Sequence, residues 1–369
     1  MLYKFSVKNF KNFDELLEWD LSSGKYCFNE ESVKNNILKN TVVYGKNGSG
    51  KSNLTYAIMD ITTHLTDFTR LESHYIPYTN LNNKYKVADF CYEFKFGEDI
   101  VKYQYKKEKL TEVFDEIISI NGNRVIYENY DKQERYVNLK GAEMLNVEER
   151  DESLSFVKYI IRNTKLDSDD EINKIFKKFQ LFVEGMLYCG SGTFEGNIYQ
   201  GFQNKKERIT QAIIELKKVK ELESYFKKLG INYSLGIGKD SEENEFISVQ
   251  FRDRKANLLT VASHGTKVLL AFFYWLQQID KITFLVVDEF DAFYHNDVSE
   301  TLLRLMIQSP VQSLVTTHNT SIMSNDLLRP DSYFIIEDNK IASLPSKTQK
   351  ELRYAHNLEK MYNAGAFND

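Results

Sequence analysis

Eight residues near the start of the sequence have the types and spacing of a phosphate-binding loop. They fit the pattern G-x-x-x-x-G-K-[ST] as Gly45-Lys46-Asn47-Gly48-Ser49-Gly50-Lys51-Ser52. The glycines let backbone N–H groups turn toward phosphates, Lys51 offers a positive charge to the β- and γ-phosphates, and the Ser52 hydroxyl is a ligand for Mg²⁺. We therefore predict ATP and Mg²⁺ as cofactors. The predicted nucleotide contacts come from Gly45, Asn47, Gly48, Ser49, Gly50, Lys51, Ser52 and Asn53.

Two acidic residues, Asp288 and Glu289, end the apolar segment 284–287. A P-loop enzyme needs a carboxylate at a neighbouring strand end to hold the water shell of Mg²⁺, so we predict that Asp288 binds the metal together with Ser52. Glu289 is the predicted catalytic residue, because it is placed to orient or deprotonate the attacking water. The alternative is a strand that leads into a solvated acidic loop.

Two further segments could face a phosphate. His318 follows the apolar strand 314–317, where a ring nitrogen could bond the γ-phosphate and sense its loss, so we predict a catalytic role for it. Ser263 and Gly265 stand at the start of a predicted helix. The Ser263 hydroxyl could cap that helix or, with the free amide groups after it, hold a phosphate. Both interpretations of Ser263 stay open from the sequence alone.

The elements that must position these residues follow an α/β alternation. A β-branched strand at 41–44 leads into the P-loop, and a helix at 52–68 follows with apolar residues along one face. After residue 260 the predicted order is helix 267–279, strand 282–287, helix 299–307 and strand 312–316. Such an order is typical of a parallel sheet.

Two other patterns, one of strands and one of helices, occur outside this alternation. Residues 85–130 alternate with period two and contain an Asn121-Gly122 turn, which predicts an antiparallel sheet with a hairpin, and residues 2–10 resemble an edge strand. Helices are predicted at 152–163, 169–187 and 205–228. We therefore divide the chain into an N-terminal part with the P-loop and an antiparallel lobe (1–145), a helical insertion (146–230), and a C-terminal part with Ser263, Asp288 and His318 (231–369).

The charge and composition of the chain limit the classes of partner that we expect. Forty-eight basic and 53 acidic side chains give a net charge of −5, which does not support nucleic acid as a partner. The basic clusters 106–109 and 205–208 leave nucleic-acid contact open, but they are more typical of solvated faces. Cys27, Cys91 and Cys189 have no paired spacing, and we find neither a signal peptide nor a membrane-spanning run. We expect a cytoplasmic protein without a membrane partner.

The order of motifs along the chain resembles an ABC-type ATPase head. The resemblance is closer to the AAA/ABC-like ATP-binding proteins related to the OLD and RecF groups, many of which act in bacterial anti-phage or abortive-infection systems. Residues 7–13, Val-Lys-Asn-Phe-Lys-Asn-Phe, resemble the strand that opens those proteins, and residues 358–367 resemble their frequent C-terminal ending. The resemblance implies an α/β fold, namely an ABC/SMC-type P-loop ATPase head with an antiparallel β lobe and a helical insertion.

The sequence also departs from that pattern. The signature Ser263-His264-Gly265-Thr266 keeps the serine and glycine that would face a partner's γ-phosphate, but not the full transporter consensus. His295 occupies the usual D-loop aspartate position, and no Q-loop glutamine can be placed. After His318 only 369 − 318 = 51 residues remain, too few for the nuclease domain of OLD proteins, so we expect any effector to be a separate chain.

These observations predict a regulatory ATPase that hydrolyses ATP to ADP and phosphate. The resemblance implies that two copies dimerise around ATP and control a separate effector, a nuclease or toxin, in bacterial anti-phage defence. One alternative is a DNA-repair or chromosome-associated ATPase of the RecF/SMC kind that acts directly on DNA. A second is a nucleotide-dependent scaffold with slow or no hydrolysis. A transporter subunit is disfavoured by the altered signature and the long insertion.

Overall fold

The structure, a computed structural model, describes residues 1–68, 71–146, 154–190, 198–202, 209–290 and 295–368. The strands in these ranges are β1 Leu2–Lys8, β2 Leu17–Asp20, β3 Val33–Lys34, β4 Ile37–Leu38, β5 Asn40–Tyr44, β6 Ala88–Phe96, β7 Asp99–Lys109, β8 Glu112–Ile120, β9 Asn123–Asn129, β10 Glu134–Val137, β11 Met186–Gly190, β12 Ile198–Gly201, β13 Leu235–Lys239, β14 Glu245–Phe251, β15 Arg254–Asn257, β16 Phe284–Asp288, β17 Gln312–Thr317, β18 Tyr333–Glu337 and β19 Lys340–Ser343. The helices are α1 Lys51–Leu65, α2 Phe156–Asn163, α3 Glu171–Glu184, α4 Ile209–Glu215, α5 Val219–Lys228, α6 Leu258–Val261, α7 His264–Leu276, α8 Asn296–Gln308 and α9 Leu358–Asn363.

A mostly parallel sheet carries the predicted site. Its order within the described residues is β12-β11-β16-β17-β5-β18-β19, and the five inner strands are parallel to one another. All residues of β5, β16 and β17 are buried, as expected for strands covered on both faces. The predicted α/β order is confirmed. The expectation that the acidic strand lies next to the P-loop strand is wrong, because β17 separates β16 from β5.

A second sheet is antiparallel and forms the predicted lobe. Its order is β10-β9-β8-β7-β6-β1-β2. The hairpin between β8 and β9 is confirmed, since Asn121 and Gly122 both have positive φ, 50° and 83°. The prediction of an edge strand at residues 2–10 is wrong. The strand β1 lies inside the sheet because β2 pairs along its other side.

The segment 146–230 is helical only in part. The helices α2 to α5 lie in it, but β11 and β12 join the central sheet, and β11 pairs in parallel with β16. A short apolar run such as Met-Leu-Tyr-Cys-Gly cannot be distinguished from a helix end by periodicity, which explains the extension of the predicted helix to residue 187. The helix predicted at 205–228 is two helices, with Lys217 at φ 58° between them, and 205–208 lie outside the described residues. The domain boundaries stay a prediction.

The helix α1 lies between the two sheets. One hydrophobic cluster joins its apolar residues to the lobe and to Phe284, Val286 and Leu314 of the central sheet. Twelve of its fifteen residues are therefore buried, including the polar Asp60 and Thr63, rather than the single face that the sequence predicts. A second cluster fills the other face of the central sheet under α7 and α8. No helix in the described ranges is long and apolar enough to cross a membrane.

Candidate nucleotide site

The P-loop connects β5 to α1. Gly45 follows the last residue of β5, and Gly50 is the N-cap of α1 with φ 99°, a conformation that side chains rarely adopt. A Cβ atom on Gly45 would lie 2.3 Å from Ser49 Oγ and 2.8 Å from Ile336 Cγ2, so the close turn requires glycine there. The loop therefore directs the amino end of α1 toward its own centre, which makes it an anion site.

Lys51 and Asn53 lie at the start of α1 with different partners. The buried Lys51 ammonium donates to the carbonyls of Gly45, at 2.6 Å, and Lys46, at 3.1 Å, so it is held inside the loop. The Asn53 side chain donates to Asn12 Oδ1 at 2.6 Å. Asn53 thus ties α1 to the lobe through its side chain.

The loop fits a phosphate-bearing ligand. Ser49 Oγ is buried and has no hydrogen-bond partner among the described residues, while Asn47 and Gly48 are exposed. A cavity of about 410 Å³ lies against the loop residues Gly45 to Ser49 and reaches Glu337 and Tyr362. A polar atom without a partner, a glycine-lined turn and a lysine inside the loop are what triphosphate oxygens require.

Asp288 ends β16 and has donors on both carboxylate oxygens. The Thr316 hydroxyl donates to Oδ1, and the Tyr188 hydroxyl donates to Oδ2 at 3.3 Å. Glu289 follows with φ 51°, and its side chain is exposed. Thr316 and Tyr188 were missed by the sequence analysis, because each reaches Asp288 only through the pairing of β17 and β11 with β16.

Two tyrosines accompany the acidic pair. The Tyr188 hydroxyl lies 3.3 Å from that of Tyr56 on α1. Burial, with the charges of Asp288 and Glu289, raises the pKa of Tyr56 to about 12 although the contact with Tyr188 lowers it. Burial and the charge of Asp288 also raise the pKa of Tyr188 well above its usual range. Both phenols therefore keep their protons at neutral pH and can donate.

His318 comes directly after β17, the strand between β16 and β5. Thr317 pairs with Tyr44 in the parallel register, so His318 stands level with Gly45 at the start of the P-loop. Val315 pairs with Val287, which sets Asp288 level with Thr316. The sheet thus brings the P-loop, Asp288, Glu289 and His318 to one edge. His318 is exposed there.

Ser263 and Gly265 are not connected to that edge. Ser263 Oγ accepts from Thr266 N at 3.2 Å, so the serine caps α7, and Gly265 lies in the first turn. Within the described residues, no hydrogen bond or ion pair links either residue to the P-loop. His295 is the N-cap residue of α8 without a side-chain cap bond, and the rest of the predicted D-loop, 291–294, lies outside the described residues.

One protein family matches most of the chain. The family model described as "AAA domain, putative AbiEii toxin, Type IV TA system" matches residues 41–324. No curated protein matches the chain.

The solved structures that are similar to the chain include the following three. One is the SMC head domain from Thermotoga maritima, 17% identical, with 95% of this chain and 99% of that chain covered and a TM-score of 0.45. An SMC head bound to the C-terminal winged-helix domain of ScpA is 16% identical, with 93% and 98% covered and a TM-score of 0.47. The recombination mediator RecF with ATP is 14% identical, with 93% and 99% covered and a TM-score of 0.41.

Proposed function

Because the chain belongs to the AAA family described as "AAA domain, putative AbiEii toxin, Type IV TA system", we propose that it binds and hydrolyses ATP at its P-loop. The observation that carries this proposal is the edge of the central sheet, where the P-loop, the carboxylates of Asp288 and Glu289, and His318 meet. A phosphate loop alone would support binding. The exposed carboxylate beyond β16 supports hydrolysis.

Each residue has a proposed role in that reaction. The loop amides and Lys51 hold the phosphates, while Ser52 and Asp288 hold Mg²⁺, directly or through water. When bound, Mg²⁺ neutralises charge that develops on the phosphate oxygens. Glu289 orients the attacking water and accepts its proton, and His318 contacts the γ-phosphate.

We further propose that the site is completed by a second copy of the chain. Ser263 is exposed at the start of α7, and the half-buried Gly265 follows it in the first turn. Their separation from the P-loop of their own chain agrees with a role at a partner's ATP. Two copies would enclose two ATP molecules, and hydrolysis would open the dimer.

The proposed output is control of a separate effector, a nuclease or toxin, in bacterial anti-phage defence. The family's description, which names a toxin and a toxin–antitoxin system, supports this setting. Direct action on DNA is the alternative. The basic cluster 106–109 gives it little support, because Lys107 is fully buried and Lys106 and Lys109 are paired with Asp115 and Glu112.

One experiment separates these functions. The tagged chain is purified from its native host with ATP or without nucleotide, co-purifying proteins are identified, and ATP turnover is measured with and without duplex DNA at two salt concentrations. We expect turnover without DNA and a nuclease or toxin chain whose retention depends on ATP. Salt-sensitive DNA binding that stimulates turnover would favour the alternative instead. ATP binding without any turnover would favour a scaffold.

A further inference from the structure

Thr316 belongs to none of the sequence motifs, but it lies on β17, at the edge of the sheet where the P-loop, Asp288 and His318 meet. It is the fifth residue of β17, fully buried, and two residues before His318. Its strand pairs on one side with β16, which ends at Asp288, and on the other with β5, which leads into the P-loop. A side chain in this place can therefore reach the residues that follow Asp288.

Three consecutive residues are bound to Thr316. Its hydroxyl donates to Asp288 Oδ1 and accepts from the backbone N–H of Glu289 at 3.0 Å. Its carbonyl accepts from the backbone N–H of Phe290 at 3.0 Å. A threonine hydroxyl has one proton and two lone pairs, so this one donates and accepts at the same time. Valine has the same shape but can do neither.

The hydrogen bond from the Glu289 N–H to Thr316 stabilises an uncommon backbone conformation at Glu289. Glu289 has φ 51°, in the left-handed region that non-glycine residues rarely adopt. Such a conformation persists when the surrounding contacts determine it, and the N–H bonds of Glu289 and Phe290 to Thr316 are such contacts. At this turn the Glu289 side chain is exposed. Its direction therefore depends on Thr316.

We propose that Thr316 is a positioning residue for ATP hydrolysis, which sets the direction of Glu289 and orients Asp288 for the metal. Because Thr316 lies two residues before His318, it also connects the residue proposed to contact the γ-phosphate to the carboxylate of Glu289. This inference rests on the proposed ATPase function. It adds to that function a residue that touches neither ATP nor water and acts through its neighbours.

The test compares two substitutions of Thr316 in the full-length protein. Thr316→Val removes the hydroxyl and keeps the volume, whereas Thr316→Ser keeps the hydroxyl. We expect kcat to fall by about tenfold to a hundredfold in the valine variant, with KM for ATP nearly unchanged, since small misplacements of a catalytic group cost that much. The serine variant should retain most of the turnover. The Mg²⁺ concentration for half-maximal rate should change in the valine variant only.

The matched control is Thr41→Val. Thr41 is also buried in the central sheet, and its hydroxyl donates to the Ser313 carbonyl at 3.1 Å, away from Asp288 and Glu289. It should leave kcat and the Mg²⁺ dependence unchanged. Thermal melting of all variants shows whether each is folded, and Thr316→Ala replaces the valine variant if that one fails to fold.

Four outcomes would overturn the inference. Wild-type turnover with an equally fast Thr316→Val variant would remove Thr316 from the mechanism and leave the proposed function intact. Equal losses in the serine and valine variants, or a loss matched by Thr41→Val, would indicate a structural role only. A wild-type protein that binds ATP but shows no turnover would overturn the proposed function, and this inference with it.

Discussion

At the scale of single residues, the Lys51 side chain is held inside the P-loop. Its ammonium lies between two loop carbonyls, and the buried hydroxyl of Ser49 stands beside the same turn. A phosphate that enters the loop exchanges these ammonium–carbonyl contacts for hydrogen bonds between opposite charges, which add Coulomb attraction. The affinity for ATP should therefore depend on this one ammonium group.

Lys51→Ala tests that dependence. Hydrogen bonds to charged groups contribute about 1.5–3 kcal/mol, so we expect ATP to bind roughly tenfold to more than a hundredfold more weakly. Titration with a fluorescent ATP analogue measures the dissociation constant. Lys102→Ala, which removes a charge from the lobe beside Glu93, is the control and should bind as the wild type does. If all three proteins bound ATP with equal affinity, the nucleotide would bind away from Lys51 and the P-loop.

Some residues of this site can be identified from the sequence and others cannot, for a physical reason. The P-loop and the pair Asp288-Glu289 are short continuous patterns, so they can be found without any tertiary structure. Thr316 and Tyr188 are single polar residues in apolar strands, and they gain their partners only when β17 and β11 pair with β16. Nothing local marks them. The roles assigned to all site residues remain predictions.

The element that joins the nucleotide site to the lobe is α1. Asp60 on α1 forms a fully buried ion pair with Lys107 of β7 at 2.8 Å. The hydroxyls of Tyr78 and Tyr105 donate to the same carboxylate at 2.9 and 2.8 Å, and Lys107 also donates to Thr63 at 2.8 Å. The buried charges are thus satisfied within one network, and either charge alone would be left without compensation.

Lys107→Met should therefore destabilise the protein strongly. Removal of one partner from a buried pair costs about 3–5 kcal/mol, because the other charge stays buried. Urea unfolding followed by circular dichroism measures the free energy of unfolding. The neighbouring Lys106→Met is the control, since Lys106 is 43% exposed in its pair with Asp115 and should change that energy by about 0–1 kcal/mol. Equal effects of both substitutions would contradict a structural role for the buried pair.

At the scale of the whole molecule, two sheets enclose α1: a mostly parallel sheet that carries the P-loop and an antiparallel sheet that forms the lobe. The alternation of strands and helices after residue 260 and the period-two segment 85–130 predict this architecture, because burial of one or both faces leaves a repeating pattern. Strand order leaves no such pattern. The insertion of β17 between β16 and β5 and the place of β11 in the sheet therefore emerge only from the structure.

Dimerisation around ATP is the prediction that belongs to this scale. Glu289→Gln should keep the metal and phosphate contacts while slowing hydrolysis, so ATP with Mg²⁺ should convert it to a particle of twice the chain mass in light scattering. Removal of Mg²⁺ by EDTA should return it to the single-chain mass. Glu289→Gln combined with Ser263→Arg should stay monomeric, because the bulky cation would block the partner's ATP. A double variant that still dimerises would argue against Ser263 at the interface.

Hydrolysis of ATP through Glu289 is tested most directly by the turnover of Glu289→Gln beside the wild type, with bound nucleotide measured in parallel. General base catalysis contributes about 10²–10⁴-fold, so we predict a loss of at least about a hundredfold in kcat, with ATP still bound. Unchanged turnover in the variant would contradict the assignment of Glu289 and the hydrolytic site built around it.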